Sequence, residues 1–359
     1  MQIGLIIYGS LETLTGGFFY DRMLVEGLRR QGDEVEVISL PWRSYGRYLG
    51  DNFSRNLFQH LRDGAFDVLL QDELNHPSLF WLNQRLRGTV DYPIVTIVHL
   101  LHCCEPRPVW QNWLSRWVER RYICSVDGAI WNSQATRRAT EPLTDQGAQG
   151  IVAYPGRDHL TPAISRKEVF ERAMQPGPLR VLFVGNLSPV KGLHTLVEAL
   201  SRLPRDFWHL TVVGSLAIAP RYVRYVQRQI ARYSLSNNIE LLGILTNAQV
   251  AIHMEWAQLL VVPSFYEGFG IVYIEGMGFG LPVIASTAGG AGEIVEPGKD
   301  GFLVAPGDAS SLSKYLSDLI QDRDKLACMG IAAMKRYANH PTWSETTEKI
   351  RQFLLEMIG

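Results

Sequence analysis

Short apolar runs recur along the chain and predict buried β-strands. The first series comprises residues 3–8, 34–40, 66–70, 93–99, 128–133 and 151–155. After a polar stretch with several prolines, a second series comprises residues 180–185, 209–214, 239–243, 259–264, 281–286 and 301–305. Each run is followed by a segment of helical length, and in the first of these Phe19, Met23, Leu24 and Leu28 share one face of residues 18–31. This alternation is typical of parallel sheets that helices cover on both faces.

The repeated series predicts an α/β protein with two Rossmann-like, doubly wound parallel-sheet domains. At 359 residues the chain is too long for one ordinary core. We place the first domain at 1–155 and the second at 156–344, followed by a terminal helix over 345–359 with its cap near Thr342 or Ser344. Because open parallel sheets bind ligands beyond the carboxyl ends of their strands, we expect a ligand cleft between two facing sheets.

Composition and charge argue against several classes of protein. The net charge of −1 gives no overall basic field for nucleic acid. The four cysteines form no C-x-x-C pair and have no partnered histidine spacing, so neither a zinc site nor a disulfide framework is indicated. The start "MQIGLIIYGS" has no basic leader, and no apolar run is long enough to span a bilayer. We therefore expect a cytoplasmic protein, and peripheral contact with a membrane stays open.

The stretch "FYEGFGIVYIEGMGFGLPVIAS", residues 265–286, is unusually rich in glycine directly after a predicted strand. Gly268 and Gly270 allow the backbone to approach a ligand closely. A short helix predicted from about residue 271 to 279 would then direct free N–H groups of Phe269, Gly270 and Ile271 toward an anion. The pattern predicts a ligand-binding loop at a helix N-terminus.

Two glutamates in this stretch, Glu267 and Glu275, stand eight residues apart. A carboxylate accepts the pair of hydrogen bonds that vicinal ribose hydroxyls donate, which suits Glu275. Glu267, in the loop before the helix, can meet other sugar hydroxyls. The alternative is a helix-capping glutamate and a solvated one, and the whole constellation favours the ligand site.

Three further features lie where the predicted strands end. Lys191 stands at the start of a predicted helix in "VLFVGNLSPVKGLHTLVEAL", where a cation is unfavourable unless an anion such as phosphate shares the site. Gly16 and Gly17 precede the first helix and resemble half of a dinucleotide-binding fingerprint. His99 ends the strand "PIVTIVH". The alternatives are that Lys191 is an ordinary solvated lysine and that His99 has only a structural role.

Together these motifs resemble the retaining GT-B glycosyltransferases of family 4 over nearly the whole chain. The most specific element is the E-x7-E motif from Glu267 to Glu275. Supporting matches are "TGGFFYDRMLVEGL", "PIVTIVH", "VGNLSPVKGL" and "GGAGEIVEPGKDGFLV". The resemblance implies two Rossmann-like domains facing across a cleft, an acceptor-side first domain, a second domain that holds the nucleotide sugar, and a final helix that crosses back onto the first domain.

The resemblance also implies roles for individual residues. Glu267, Lys191 and His99 would act in catalysis, with Lys191 on the donor diphosphate, and Glu267 and His99 on the transferred sugar. Glu275 would bind the ribose hydroxyls. The other implied donor contacts are Gly16, Gly17, Asn186, Ile244, Leu245, Gly268, Phe269, Gly270, Ile271 and Val272, of which Ile244 and Leu245 would meet the nucleobase through their backbone.

The chain departs from the family pattern at two positions. Asn186 stands where the family usually has an arginine, and a neutral amide cannot neutralise a leaving diphosphate. Arg157 could compensate, or it could be an ordinary surface arginine. Gly292 replaces the usual proline before Glu293.

The implied function is retaining transfer of a hexose from a nucleotide-diphosphate sugar to an unidentified acceptor by front-face attack. The alternatives are a nucleotide-sugar epimerase of the same fold and a binder of sugar nucleotides that transfers nothing. No cofactor or metal is required, because the single D-x-D sequence, residues 322–324, is predicted on a helix surface and turn.

Two aromatic and basic segments are candidates for acceptor contact. Residues 40–55 carry three arginines among aromatics, and residues 108–123 place Trp110, Trp113, Leu114 and Trp117 at helical spacing beside Arg120 and Arg121. Such faces suit an anionic or lipid-linked acceptor. The alternative is a solvated loop and a helix stripe that faces the core.

Overall fold

The computed structural model describes residues 1–105, 108–144 and 149–359. The chain forms two compact units, one of residues 1–156 and 341–359 and the other of residues 157–340. Residues 341–344, which the sequence analysis placed in the second domain, therefore lie with the first unit.

Each unit contains one sheet in which all described strands run parallel. The strands of the first unit are β1 (Gln2–Tyr8), β2 (Glu34–Leu40), β3 (Val68–Asp72), β4 (Ile94–Val98), β5 (Gly128–Trp131) and β6 (Gly150–Val152). Those of the second unit are β7 (Leu179–Val184), β8 (Trp208–Val213), β9 (Ile239–Gly243), β10 (Leu259–Val262), β11 (Val283–Ser286) and β12 (Gly301–Val304). Every apolar run predicted to be a strand overlaps one of these.

Helices α1 to α11 lie between strands that are consecutive in the chain, and α12 to α14 follow the last strand. They are α1 (Gly16–Arg30), α2 (Tyr45–Tyr48), α3 (Arg55–Asp63), α4 (His76–Leu86), α5 (Val109–Ile123), α6 (Gln134–Thr140), α7 (Arg166–Met174), α8 (Leu193–Ser201), α9 (Pro220–Arg232), α10 (Asn247–Trp256), α11 (Ile271–Gly278), α12 (Ala309–Gln321), α13 (Arg323–Ala338) and α14 (Trp343–Ile358).

The strand order in both sheets reverses at one point. The first sheet has the order β2-β1-β3-β4-β5-β6, and the second has the order β12-β11-β10-β7-β8-β9. The reversal lies between β1 and β3 in the first sheet and between β7 and β10 in the second. Doubly wound sheets of this kind bind ligands beyond the carboxyl ends of the strands at such a switch point.

Alternate side chains of β1 enter two separate apolar clusters. Ile3, Leu5 and Ile7 pack in the cluster that contains α1 and α14. Ile6 and Tyr8 pack in the cluster that contains α4 and α5. The first sheet is therefore covered by helices on both faces, as the near-continuous apolar runs predict.

The final helix α14 belongs to the first unit and contacts α1 and the turn that follows it. Thr342 and Glu345 form a reciprocal capping box at its start, so the cap is Thr342 and the helix begins two residues earlier than predicted. Further along, Nε of Arg351 donates to Oδ2 of Asp33 at 2.7 Å. Gly27 of α1 faces Thr347, where a Cβ atom would lie 2.4 Å from its hydroxyl. Helix α14 thus packs directly on α1.

Candidate functional site

The switch point of the second sheet brings together two residues predicted as site residues. Lys191 lies in the loop after β7, and Glu267 lies in the loop after β10. Nζ of Lys191 donates a hydrogen bond of 2.6 Å to Oε2 of Glu267. The hydroxyl of Ser264 donates to the same oxygen at 3.1 Å. A cation, a carboxylate and a hydroxyl therefore share one small site beyond the carboxyl ends of the two strands.

The loop that carries Lys191 depends on a glycine for its path. Pro189–Lys191 form a short 3-10 turn, and Gly192 follows with φ of 71° before α8 begins at Leu193. A Cβ atom at Gly192 would lie 2.1 Å from the carbonyl oxygen of Pro263. Lys191 therefore lies two residues before the first residue of α8, directly before its N-cap Gly192, close to its predicted position at the helix start. Close packing on the β10 loop is what directs Lys191 toward Glu267.

Glycines hold the Glu267 loop in place from the other side. The backbone N–H of Gly290 donates to the carbonyl oxygen of Glu267 at 2.8 Å. A Cβ atom at Gly289 would lie 1.9 Å from that carbonyl oxygen. Gly289 also adopts φ of 93°, which side chains other than glycine rarely allow. The "GG" of residues 289–290 thus fixes the backbone of the loop that presents Glu267.

Helix α11 begins beside this loop, at the residues predicted to contact the donor. Gly270 is its N-cap with φ of 99°, and no side chain caps the helix. The first N–H groups of a helix have no partner within the helix, so those at Ile271 and Val272 are suited to an anion. Phe269 is buried, with its ring 5.6 Å from that of His340. The neighbouring Gly268 has no side chain, so backbone is what this turn can offer to a ligand.

Glu275 lies one turn further along α11 and is half-buried. Burial raises the pKa of its carboxyl group to about 7. Among the described residues, no hydrogen bond or ion pair is recorded for this carboxyl group. Its oxygens are therefore available to hydroxyl donors.

The remaining residues predicted in the second unit follow the ends of neighbouring strands. Asn186 follows β7, and its Oδ1 accepts a hydrogen bond of 3.3 Å from the backbone N–H of Ser215. Ile244 and Leu245 follow β9, and Ile244 is exposed. Arg157 donates to the carbonyl oxygen of His340 and lies over the ring of Tyr337. The guanidinium of Arg157 thus contacts His340 and Tyr337, and its compensation for Asn186 stays a prediction.

The switch point of the first unit gathers the other predicted residues. Helix α1 begins at Gly16 and is capped by Thr15. A Cβ atom at Gly17 would lie 3.1 Å from the ring of His99, which follows β4. Nε2 of His99 lies 2.9 Å from Oδ1 of the buried Asp21. Gly16, Gly17 and His99 are thus neighbours, and Asp21 is the hydrogen-bond partner of the histidine ring.

Buried acids surround His99. Burial by itself lowers the pKa of His99, but the charges of Asp21, Asp72 and Glu73 raise it to about 9. Burial raises the pKa of Asp72 to about 8 and that of Glu73 to about 8. Two groups among the described residues could hold a cation: Asp21, Asp72 and His99, and Glu73, His76 and Glu119.

The D-x-D sequence belongs to neither of those groups. Oδ1 of Asp322 caps α13 by accepting a hydrogen bond of 2.8 Å from the backbone N–H of Lys325. Arg323 donates to the carbonyl oxygen of Gly177 at 3.0 Å. This sequence therefore has a structural role at the start of a helix.

The aromatic stripe on α5 does not face the core. Trp110, Trp113, Leu114 and Trp117 are between 44 and 66% exposed. The buried face of α5 contains Ser115, Val118, Glu119, Tyr122 and Ile123 instead. The alternative of a core-facing stripe is therefore wrong. Residues 40–55 are not a solvated loop throughout, since they include α2 and Arg43 pairs with the buried Asp51 at 2.5 Å.

The sequence analysis did not identify Ser264 and Asp21 as residues of these sites. Ser264 donates to Glu267, and Asp21 pairs with His99. The signal for Ser264 was its position directly after β10. The signal for Asp21 was weak: it is a charged residue next to the apolar face of α1, and a charged residue there is usually expected to be solvated.

Comparisons with known proteins place these features in a family context. The family model described as glycosyl transferases group 1 matches residues 165–336. The chain is 30% identical over 231 residues to a D-inositol 3-phosphate glycosyltransferase of Pseudarthrobacter chlorophenolicus, covering 62% of this chain and 54% of that protein. It is 29% identical over 383 aligned positions to the phosphatidyl-myo-inositol mannosyltransferase of Mycobacterium leprae, covering 98% and 95% of the two chains.

A solved structure supports the fold. Anabaena Alr3699/HepE in complex with UDP-glucose has a TM-score of 0.79 and 22% identity, covering 99% of this chain and 100% of that chain. The predicted GT-B class, with two Rossmann-like α/β domains, is confirmed. The chain spans about half the length of the first curated relatives that it matches, 48% and 54%.

Within residues 1–105, 108–144 and 149–359, no helix is both long enough and apolar enough to cross a bilayer.

Proposed function

We propose that the chain transfers a hexose from a nucleotide-diphosphate sugar to an acceptor with retention of configuration, and the match of residues 165–336 to the glycosyl transferases group 1 supports this proposal. The observation that carries this proposal is the contact of Lys191 with Glu267, supported by Ser264, at the switch point of the second sheet. The cation and the N–H groups at the start of α11 suit an anionic diphosphate, and the carboxylate suits the hydroxyls of a sugar.

The proposed donor site uses the second unit. Lys191 would exchange its contact with Glu267 for the diphosphate, and Glu267 would then accept hydrogen bonds from hydroxyls of the sugar. The N–H groups at the start of α11 would hold a phosphate oxygen. Glu275 would accept hydrogen bonds from the ribose hydroxyls. Ile244 and Leu245 would meet the base through their backbone.

In the proposed reaction, the bond between the anomeric carbon and the diphosphate oxygen breaks as the acceptor oxygen bonds to the same face of that carbon. The proton of the acceptor hydroxyl passes to the departing diphosphate oxygen. Lys191 and the helix N–H groups stabilise the negative charge that grows on the diphosphate. No protein side chain has to act as a base, and no resident metal is assigned.

The first donor to test is UDP-glucose. Alr3699/HepE was solved with UDP-glucose, and the mycobacterial relative is named a mannosyltransferase. The donor class that we propose is a nucleoside-diphosphate hexose, tested first in its UDP form and then in its GDP and ADP forms. The enzyme would be incubated with each sugar nucleotide, with and without a panel of glycan and lipid-linked acceptors, and the released nucleoside diphosphate would be measured.

The outcomes of this experiment separate the candidate activities. Release that depends on an acceptor and is lost in Lys191→Ala supports transfer. Conversion of the donor sugar to its epimer without an acceptor would support an epimerase instead. If the sugar nucleotide binds but is not converted with any acceptor of the panel, this would contradict transfer and would support the alternative of a binding protein.

The exposed face of α5 is the surface that we propose for contact with the acceptor. Trp110, Trp113 and Trp117 lie on one side of this helix, and the guanidinium of Arg121 lies 4.6 Å from the ring centre of Trp117. Tryptophan and arginine together suit the interface of an anionic bilayer. We propose that this face contacts a membrane peripherally and that the acceptor is anionic or lipid-linked.

A further inference from the structure

The second unit contains a cavity of about 610 Å³ near the amino ends of its strands. Arg180, His209 and Glu240 line it, and they are the second residues of β7, β8 and β9. Lys191 and Glu267 instead follow the carboxyl ends of β7 and β10. Ligand pockets in proteins typically measure about 300–1,000 Å³, so this cavity is large enough for a small organic molecule.

The pairing of the strands places the polar lining residues on one face of the sheet. Arg180 of β7 lies beside His209 of β8, and Thr211 of β8 lies beside Glu240 of β9. Paired residues of parallel strands point to the same face, and so do residues two apart along one strand. These four side chains therefore line the same side of the cavity.

Helix α10 lines the other side and leaves apolar surface uncovered. Of its ten residues, all of which the structure describes, Met254 alone is buried. Ile252 and Trp256 line the cavity four residues apart and remain 62 and 47% exposed. Pro176 and Pro178 add to the apolar lining. An apolar ligand in the cavity would therefore remove hydrophobic surface from water.

The guanidinium of Arg180 gives the cavity a positive charge that no carboxylate pairs with in the described part of the chain. Its Nε donates to the carbonyl oxygen of Trp256 and its Nη2 to Oε1 of Gln175, both at 2.8 Å. Its Cζ lies 4.9 Å from the ring centre of Trp256. Burial and the nearby charge of Arg323 lower the pKa of Arg180. Two nitrogens thus fix the guanidinium, and Nη1 can donate to an anion.

His209 and Glu240 indicate what kind of anion the cavity suits. Nδ1 of His209 is buried and has no hydrogen-bond partner among the described residues, so a ligand oxygen could supply one. The carboxylate of Glu240 is exposed and forms no ion pair within residues 1–105, 108–144 and 149–359. Its charge would repel a second negative charge on the ligand. The lining therefore favours a single negative charge.

We propose that this cavity is a second ligand site, which binds an apolar aromatic molecule with one negative charge. The ring of Trp256 and the neighbouring apolar side chains would contact the body of the ligand. Arg180 and His209 would hold its anionic group. This inference goes beyond the proposed function, because it uses none of the donor residues and can be tested without sugar transfer.

The test uses two fluorescent probes that differ by one sulfonate group, anilinonaphthalene sulfonate and the neutral phenylnaphthylamine. Each is titrated into the full chain. The sulfonate probe should bind about 10-fold more tightly, because a charge-assisted hydrogen bond adds to the same apolar contacts. In Arg180→Gln this advantage should disappear, while the Kd of the neutral probe should change by less than about 2-fold. Equal affinity of the two probes for the unmodified protein would overturn the proposal.

A second variant keeps the test decisive if Arg180→Gln does not fold. Ile252→Glu places a carboxylate at an exposed position in the cavity and should weaken the sulfonate probe about 10-fold. Ile218→Glu, at a position that is 56% exposed and does not line the cavity, is the matched control and should bind like the unmodified protein. Equal affinity of these two variants would overturn the proposal.

Lys191→Ala shows whether the probe has entered the donor site instead. This variant should bind the sulfonate probe like the unmodified protein, and weaker binding would overturn the proposal by placing the probe at the donor site. If the probe results hold but no donor is turned over by the unmodified protein, the proposed function fails and the second ligand site stands.

Discussion

Nζ of Lys191 lies 2.6 Å from Oε2 of Glu267, although the two residues are 76 positions apart in the sequence. The parallel sheet makes this contact, because β7 and β10 are neighbours and end at the same edge. The pair is only partly buried, with 27 and 14% of the two side chains exposed. It is therefore accessible to an anionic ligand that competes for the lysine.

Lys191→Ala should remove most of the transfer activity with little change in folding stability. Loss of a charge that stabilises the leaving diphosphate should lower kcat by roughly 100-fold or more. The lost ion pair should cost at most about 1 kcal/mol of unfolding free energy, because the pair is partly exposed. Lys299→Ala, which breaks the exposed contact of Lys299 with Glu296, is the control. Equal activity of the two variants would contradict the role of Lys191.

Glu275→Gln should change how stability depends on pH. Burial raises the pKa of this carboxyl group from 4.5 to about 7, so the folded protein binds a proton that the unfolded chain releases between these values. The stabilisation from the protonated form is complete below pH 4.5 and is lost as the pH rises through 7. The variant should therefore gain on the order of 1–2 kcal/mol relative to the unmodified protein at pH 8. Urea unfolding at pH 4.5 and 8 measures this difference, and equal differences at the two pH values would contradict it.

The same substitution should weaken nucleotide binding. A neutral amide accepts hydroxyl donors less strongly than a carboxylate, so the Kd for the preferred nucleoside diphosphate should rise by about 10-fold or more. Calorimetric titration at pH 8 gives the value. Glu240→Gln, on the exposed side of β9, should bind like the unmodified protein.

The double variant Trp110→Ser, Trp113→Ser should bind anionic vesicles at least about 10-fold more weakly, because it removes exposed aromatic surface from α5. Its unfolding free energy should change by less than about 0.5 kcal/mol per substitution, since both side chains are largely exposed. Sedimentation with phosphatidylglycerol vesicles and with neutral vesicles measures the binding. Trp256→Ser removes another partly exposed tryptophan, from the second unit, and should bind like the unmodified protein. Equal binding of all these proteins would exclude α5 as a membrane-contact face.

Gly192→Ala should destabilise the protein more than the same change at Gly298. Both glycines have left-handed backbone, with φ of 71° and 83°. A left-handed alanine costs about 1–2 kcal/mol in either position. At Gly192 the new Cβ atom would also lie 2.1 Å from the carbonyl oxygen of Pro263, whereas nothing lies within 4 Å at Gly298. Thermal unfolding should show the larger loss for Gly192→Ala, and a loss equal to that at Gly298 would show that the β10 loop moves freely.

The sequence by itself determined the alternation of strands and helices in this protein. Each predicted apolar run overlaps a strand, because burial on both faces of a parallel sheet requires a continuous apolar segment that can be seen locally. The glycine-rich loop with Glu267 and Glu275, and the start of α11 near residue 271, were also visible, since these features depend on neighbours in the chain.

The tertiary structure alone decided which side chains meet. The order of the strands places Lys191 against Glu267 and Asp21 against His99, and separations of 76 and 78 residues leave no periodic signal in the sequence. It also decided which face of α5 is buried. Helical spacing shows that Trp110, Trp113 and Trp117 share a side, but the rest of the fold selects the side that carries Glu119 and Tyr122 for the core. Periodicity reports that residues share a face, and only packing against other elements decides where that face points.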